Sequence, residues 1–195
     1  MIVKDIKIYD GSILQDRFAY GYFKDRTMRI GNIIAFRAPM KVEAEFMVDK
    51  QDLIDKDYIY SDDAINLCIE IPDISLFAGV CFQRLYNSTI ANILASKYLK
   101  CNIEVDGDDI MVHKEHTQGG IVQQKGKASV SITKQCNGAV LIHTGINVTA
   151  GKHAPAFAYS TNMTDEQCEA FMKDCIECFY GMVQDIFVST TKIVK

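Results

Sequence analysis

The sequence has little of what a membrane or secreted protein needs. No apolar run approaches the ~18 residues of a membrane-spanning helix. The residues from Met1 to Lys7 carry charges where a secretory signal would need its apolar region. We therefore expect a cytoplasmic protein without a membrane partner. Its seven cysteines should then stay reduced and pack as small hydrophobic side chains.

The sequence also lacks the excess of positive charge that is typical of nucleic-acid-binding proteins. Its net charge is −4 and its pI is about 5.5, so we expect no nucleic acid as a partner. Apolar residues make up 48% and charged residues 24% of the chain, as in ordinary globular proteins. No internal repeat or linker divides the sequence, and we expect a single domain over residues 1–195.

Three common nucleotide-binding or catalytic motifs are absent from the sequence. These are the dinucleotide-binding Gly-x-Gly-x-x-Gly, the phosphate-binding loop that ends in Gly-Lys-Ser/Thr, and the Gly-x-Ser-x-Gly nucleophile elbow. Their absence argues against phosphate binding by either common loop and against an α/β-hydrolase. It points to no cofactor, so the cofactor is unknown from the sequence.

Two residue pairs have the spacing of metal ligands. Cys175-x-x-Cys178 lies within a predicted amphipathic helix, and the chain has no second pair of this kind. His113-x-x-His116 lies in a polar stretch without a cysteine at zinc-binding spacing. Core packing explains the cysteines and solvent exposure explains the histidines, so we predict no metal site.

Hydrophobic periodicity and breaker residues predict an α+β fold. We expect short helices over residues 14–23 and 51–57, and long helices over Ile74–Leu99 and Asp165–Phe187, the second opened by a capping box at Thr164. These two long helices should pack against a central, mainly antiparallel sheet. The predicted strands cover residues 2–8, 33–36, 42–48, 64–71, 103–105, 110–112, 128–132 and 139–148.

Two places in the second half could carry chemistry. Asp106-Gly107 is a hairpin turn signal, which would make Asp108 and Asp109 turn carboxylates. In the alternative, Asp109 lies on a strand and points into a ligand cleft. Lys127 stands just before an apolar strand, where a lysine can neutralise a phosphate or a carboxylate. Lysines at strand starts are also common solvated residues, and the residues alone leave both alternatives open.

In order, these segments resemble the catalytic core of biotin and lipoate protein ligases. That core has a helix of the Leu-Ser-Leu-x-Ala-Gly type, a strand with a polar pair, a Gly-x-Lys hairpin, and a strand that ends in Gly-Ile-Asn-Val. The corresponding segments here are Ile74–Gly79, Gly107–Ile110, Gly126–Ile132 and Gly145–Val148. More narrowly, the chain resembles an uncharacterised archaeal and anaerobe family, domain of unknown function 366, with the same arrangement.

The resemblance implies a biotin/lipoate ligase-like fold, of the class II synthetase-like kind, and a small-molecule ligand. It implies that Lys127 is catalytic and contacts an activated acyl group and its phosphate. The residues that we expect to bind the ligand near this lysine are Arg37, Arg84, Asp108, Asp109 and Asn147.

The leading hypothesis is a protein that binds a small carboxylate or nucleotide and transfers an acyl or nucleotidyl group. The segment Asp49–Pro72 departs from the ligases, because it is acidic and lacks the glycines of their adenylate-binding loop. Acidic surroundings disfavour the phosphates of ATP unless a metal is bound. The alternative is a non-catalytic protein that uses the same scaffold for ligand binding or for self-association, as a homodimer.

Overall fold

The computed structural model describes residues 1–23, 30–55, 58–114 and 124–193, and within them the chain forms seven strands and three α-helices. The helices are α1 (Lys50–Asp55), α2 (Leu76–Ile93) and α3 (Asp165–Thr191). Short 3-10 turns cover Ala19–Gly21 and Ala44–Phe46. The strands are β1 (Asn32–Val42), β2 (Ile59–Pro72), β3 (Ile103–Asp106), β4 (Asp109–Lys114), β5 (Gln124–Lys127), β6 (Ser129–Cys136) and β7 (Ala139–Thr149).

The strands form two antiparallel sheets. The larger sheet has the order β1-β2-β7-β6, and the smaller one has the order β3-β4-β5. The predicted α+β class with mainly antiparallel pairing is therefore confirmed. The single central sheet of the prediction is in fact divided, because the chain turns between β5 and β6 and the two strands pair with different partners.

The central strands β2 and β7 are buried on both faces. On one face, Ile65, Leu67 and Ile142 pack in one cluster with Tyr86 of α2 and Phe179 of α3. This explains why residues 64–71 and 139–148 are almost continuously apolar, as in strands that are covered on both sides.

The opposite face of the same sheet carries a second apolar cluster, which includes Phe36, Met40 and Cys68 together with Tyr9 from the N-terminal segment. The two long helices therefore cover one face of the sheet. The other face is available for a cavity.

The two long helices begin where the sequence predicts. The Ser75 hydroxyl accepts a hydrogen bond from the Ala78 N–H at the start of α2. At α3, Thr164 and Gln167 exchange the two hydrogen bonds of a capping box. The end of α2 continues as a π-helical turn over Leu94–Leu99, so the predicted extent of this helix is also confirmed.

The N-terminal third differs from the prediction. Residues 2–8 form no strand and make one isolated bridge, between Ile2 and Ala35. The predicted strand over 42–48 is also wrong, because β1 ends at Val42. The strand continues past Pro39 instead, where a register shift lets it pair with β2 on both sides of the proline. An edge strand tolerates the missing N–H of a proline.

Candidate ligand-binding site

A cavity of about 280 Å³ lies on the face of the larger sheet that is opposite α2 and α3. Its volume is near the lower end of the range of small-molecule pockets. Polar groups from Asp108, Asp109, Lys127 and Asn147 also line it. The apolar side chains that line the cavity come from both sheet edges and from the segment before α3, and they include Met40, Val42, Ile59, Val130, Ile132 and Phe157.

Lys127, the last residue of β5, supplies a cation to the cavity wall. Its Nζ lies 2.9 Å from Oδ2 of Asp109, and the two side chains are 27% and 30% exposed. Its backbone is held on both sides, because its N–H donates to the Phe157 carbonyl and its carbonyl accepts from the Tyr159 N–H, both at 2.8 Å. The ion pair is therefore fixed in place and partly desolvated, but a ligand can still reach it.

The carboxyl group of Asp109 is unusually easy to protonate. Burial raises the pKa of Asp109 above its ordinary value, and the charges of Asp108 and Asp106 raise it further. The ion pair with Lys127 acts in the opposite direction but does not cancel the effect of burial. A second anion bound at Lys127 would favour the neutral acid still more, because like charges disfavour the ionised form.

Two backbone hydrogen bonds and two that involve the side chains of Ser129 and Asn147 join the strands beneath this pair. The Ser129 hydroxyl accepts from the Ile110 N–H, and the Ile110 carbonyl accepts from the Ala128 N–H, both at 2.8 Å. The Asn147 N–H donates to the Ala128 carbonyl at 2.9 Å, and the Asn147 side-chain amide donates to the Lys127 carbonyl at 3.4 Å. Asn147 thus both lines the cavity and positions the backbone of Lys127.

Arg84 contacts the site indirectly. Its Nη1 lies 3.1 Å from Oδ1 of Asp108, and it also donates to the Gln83 side chain. Asn87, one helical turn further along α2, donates to the Asp108 carbonyl at 2.9 Å. The side chain of Arg84 does not line the cavity. It therefore holds the turn before β4 against α2 instead of facing a ligand.

The structure does not bring Arg37 to the cavity. Its guanidinium pairs with Asp63 at 2.7 Å and with Asp165 at 2.6 Å. Along β1, Arg37 follows Ile33 and Ala35 at two-residue steps, and both of these pack in the cluster with the helices. Successive side chains on a strand alternate between faces, so Arg37 lies on the helix-covered face and ties β1 to the start of α3.

The cavity also contains a polar cluster that the sequence did not reveal. His143 of β7 is fully buried, and burial lowers its pKa to about 3. The ring of Tyr9 stacks on it, with 3.6 Å between ring centroids and 9° between planes. Its Nε2 lies 3.0 Å from Oδ1 of Asn66. His143 stands within an apolar run whose residues are buried on both faces, so no periodicity distinguishes it.

Among the described residues, no three histidine, cysteine or acidic side chains come together as a metal site. Cys175 is buried in the core, and Cys178 packs beside it. His113 contacts Glu104 at 3.2 Å, and His116 lies outside the described residues. Over the same described part of the chain, no helix has the length and apolar character to cross a membrane.

Residues 1–194 match the sequence model of the family described as domain of unknown function DUF366. The chain belongs to the DUF366 family. No curated protein matches it. Among solved structures, this DUF366 chain is similar to a protein of unknown function from Pyrococcus horikoshi, with a TM-score of 0.83, 23% identity, and coverage of 100% of this chain and 97% of that one.

The DUF366 chain also resembles solved ligases. It is similar to Ta0514, a putative lipoate protein ligase from T. acidophilum with bound lipoic acid, with a TM-score of 0.54 and 13% identity over 89% of this chain and 86% of that one. It is similar to the biotin protein ligase from Aquifex aeolicus in complex with biotin and ATP, with a TM-score of 0.55 and 10% identity over 94% and 69%. The biotin/lipoate ligase-like fold is therefore confirmed.

Proposed function

We propose that this DUF366 protein binds a small carboxylic acid in the cavity, with the carboxylate at Lys127 and the aliphatic part against the apolar walls. The observation that carries the proposal is the ion pair of Lys127 and Asp109, which is part-buried in the wall of a cavity that is lined by both polar and apolar side chains. A charge-assisted hydrogen bond in such surroundings is stronger than one in water. The ligase-like protein with bound lipoic acid supports the same choice of ligand class.

The fixed backbone of Lys127 favours such a role. Because hydrogen bonds to Phe157 and Tyr159 hold it from both sides, the lysine needs little ordering when a ligand arrives, and a preorganised group binds more tightly. Asp109 keeps the ammonium group in place when the cavity is empty. A bound carboxylate would then share Lys127 with Asp109, and this second anion would raise the pKa of Asp109 beyond the effect of burial.

We propose carboxylate binding without tight binding of ATP. The segment that corresponds to the adenylate-binding loop of the ligases has no glycine between Asp49 and Pro72. A loop that cradles phosphates needs backbone N–H groups that approach closely, which glycine permits. If an acyl group is activated on this scaffold, Lys127 is the cation that would stabilise the negative charge that develops at its oxygen.

The test is a thermal-shift titration with octanoate, lipoate, biotin and ATP at millimolar concentration. A ligand that binds only the native protein raises its melting temperature by mass action. We expect a shift with at least one of the acids and none with ATP. Lys127→Ala should weaken binding of that acid by about tenfold to 100-fold, because a hydrogen bond to a charged group is lost.

Lys125→Ala is the matched control. Lys125 lies on the same strand and pairs with Glu104, but it does not line the cavity. It should leave the affinity for the acid unchanged, and Lys127→Arg should keep part of it. Absence of any shift with the three acids, or equal losses in the two alanine variants, would contradict the proposal.

A further inference from the structure

A second group of polar residues in the cavity surrounds His143. The hydrogen bonds of these residues show which ring nitrogen of His143 carries the proton. The side-chain amide nitrogen of Asn66 donates to the carbonyls of Ala38 and Ala64, at 3.1 and 3.3 Å. This fixes the amide, so that its oxygen faces Nε2 of His143 at 3.0 Å. An amide oxygen only accepts hydrogen bonds. Nε2 of His143 must therefore carry the proton.

The other ring nitrogen of His143 is then an acceptor with a free lone pair. A neutral imidazole carries one N–H and one acceptor nitrogen, and full burial keeps this ring neutral. Among the described residues, none makes a hydrogen bond to Nδ1. The edge of the ring that bears Nδ1 faces away from Asn66, and the residue itself lines the cavity.

Tyr9 and Gly145 lie against the ring of His143. Tyr9 covers one face at stacking distance. A Cβ on Gly145 would come within 3.1 Å of Cε1 of His143 and would overlap the sulfur of Met40, so glycine at this position makes room for both side chains. An acceptor nitrogen in a cavity wall favours a ligand that supplies it with a hydrogen-bond donor.

His143 and Lys127 are separated along the sheet. His143 pairs with Ile132, and Ser129, which is two residues after Lys127, pairs with Ile146. Three residues along β6 from Ser129 to Ile132 span ~10 Å at the usual rise of a strand. A ligand whose acid group contacts Lys127 would therefore present the far part of its chain to His143.

We infer that Nδ1 of His143 accepts a hydrogen bond from the ligand, so that the site selects acids with an N–H or O–H donor at the end remote from the carboxylate. The carboxylate part of this statement rests on the proposed function, whereas the donor part rests on the His143 cluster alone. Plain fatty acids would leave Nδ1 without a partner. Acids with a terminal hydroxyl, amide or ureido group would satisfy it.

The first measurement needs no ligand. Long-range proton–nitrogen NMR of the protein, labelled with ¹⁵N at histidine, should show Nε2 of His143 protonated and Nδ1 unprotonated at neutral pH. A protonated Nδ1 would overturn the inference, because this nitrogen could then only donate.

The second measurement compares 8-hydroxyoctanoate with 8-methoxyoctanoate, which differ in the hydrogen-bond donor. The wild-type protein should bind the hydroxy acid about tenfold more tightly, the size expected for one buried hydrogen bond. The Nδ1 resonance should move on binding of the hydroxy acid only. His143→Phe should bind the two acids equally, and circular dichroism would verify that this variant folds.

The outcomes separate this inference from the proposed function. Binding of both acids through Lys127 without preference, and with an unchanged Nδ1 resonance, would overturn the inference and leave carboxylate binding intact. If no acid binds, the proposal of carboxylate binding is wrong. Whether His143 accepts a hydrogen bond from a ligand is then tested with the neutral pair 1-hexanol and 1-methoxyhexane. Preference for the alcohol, lost in His143→Phe, would support the inference, and equal behaviour of the pair would refute it.

Discussion

At the scale of single residues, His143 couples folding to pH. Its pKa falls from 6.5 to about 3 because it is buried as a neutral ring. Below its ordinary pKa the unfolded chain takes up a proton at this histidine, and the native protein does not. Stability must therefore decrease as the pH falls from its ordinary pKa towards its native one, by about 1.4 kcal/mol per pH unit.

We expect the free energy of unfolding to fall by about 2 kcal/mol between pH 6.5 and pH 5 through His143 alone. His143→Gln should lose this part of the pH dependence, while its side-chain amide can still donate to Asn66. The measurement is urea unfolding at a series of pH values for both proteins. His153→Gln is the control, since His153 is exposed and its replacement should leave the slope as in the wild type. An unchanged slope in His143→Gln would show that burial does not keep this ring neutral.

At the scale of elements, the close approach of α2 to the larger sheet depends on one glycine. Gly79 lies in the first turns of α2 and faces Val140 of β7, and a Cβ at Gly79 would overlap the Val140 side chain. The helix can therefore lie against the strand only if this position carries no side chain. Gly181 of α3 has open space around it, although it too is a glycine within a helix.

Gly79→Ala should destabilise the protein by about 1–3 kcal/mol, because a methyl group forced into a packed interface displaces its neighbours. Gly181→Ala should instead raise stability by about 0.5–1 kcal/mol, the usual gain when alanine replaces glycine inside a helix. Denaturant unfolding of the two variants gives both values. Equal effects of the two substitutions would mean that α2 can move away from β7 without cost.

Elements with strong local signals were predictable from the sequence. The capping box at Thr164 and the apolar run over 139–148 each specify their element through nearby residues. The continuation of β1 past Pro39 was not predictable. Proline usually interrupts a strand, but here pairing with β2 on both sides of it outweighs that tendency. The division of the strands into two sheets likewise depends on contacts between residues that are distant in sequence.

The residues of the candidate site also differ in whether the sequence could reveal them. Lys127, Asp109 and Asn147 were found through an ordered resemblance, and the structure places them around one cavity. Arg37 was assigned to the same cleft, but its face of the strand follows from a register that the sequence does not show. His143 was missed because a single polar residue in an apolar run gives no pattern.

At the scale of the whole molecule, the joint between the two sheets sets the geometry of the cavity. The Ser129 hydroxyl is buried and accepts the Ile110 N–H. Ile110 follows Asp109 on β4, and Ser129 begins β6 two residues after Lys127, so this one hydrogen bond links the smaller sheet to the larger one beside both charges. Asp109 and Lys127 both belong to the smaller sheet, so movement between the sheets would carry the ion pair away from the cavity walls that the larger sheet supplies.

Ser129→Ala should cost about 1–3 kcal/mol in stability, because a buried N–H loses its partner. It should also weaken binding of the acid found in the thermal-shift titration. Ser96→Ala is the control, because the Ser96 hydroxyl bonds to the Asn92 carbonyl at the exposed surface of the protein, and it should leave both quantities unchanged. Normal affinity in a destabilised Ser129→Ala would show that the joint supports the fold but not the site.

The hydrogen bonds that hold the backbone of Lys127 determine when the cavity wall can form during synthesis. Lys127 is held by Phe157 and Tyr159, and the Thr161 N–H donates to the Asn147 carbonyl. All seven strands precede these residues in the chain. During synthesis, both sheets can therefore leave the ribosome before the cavity wall is complete. The proposed ligand site should therefore form only after both sheets, once the segment that leads into α3 has emerged and docked.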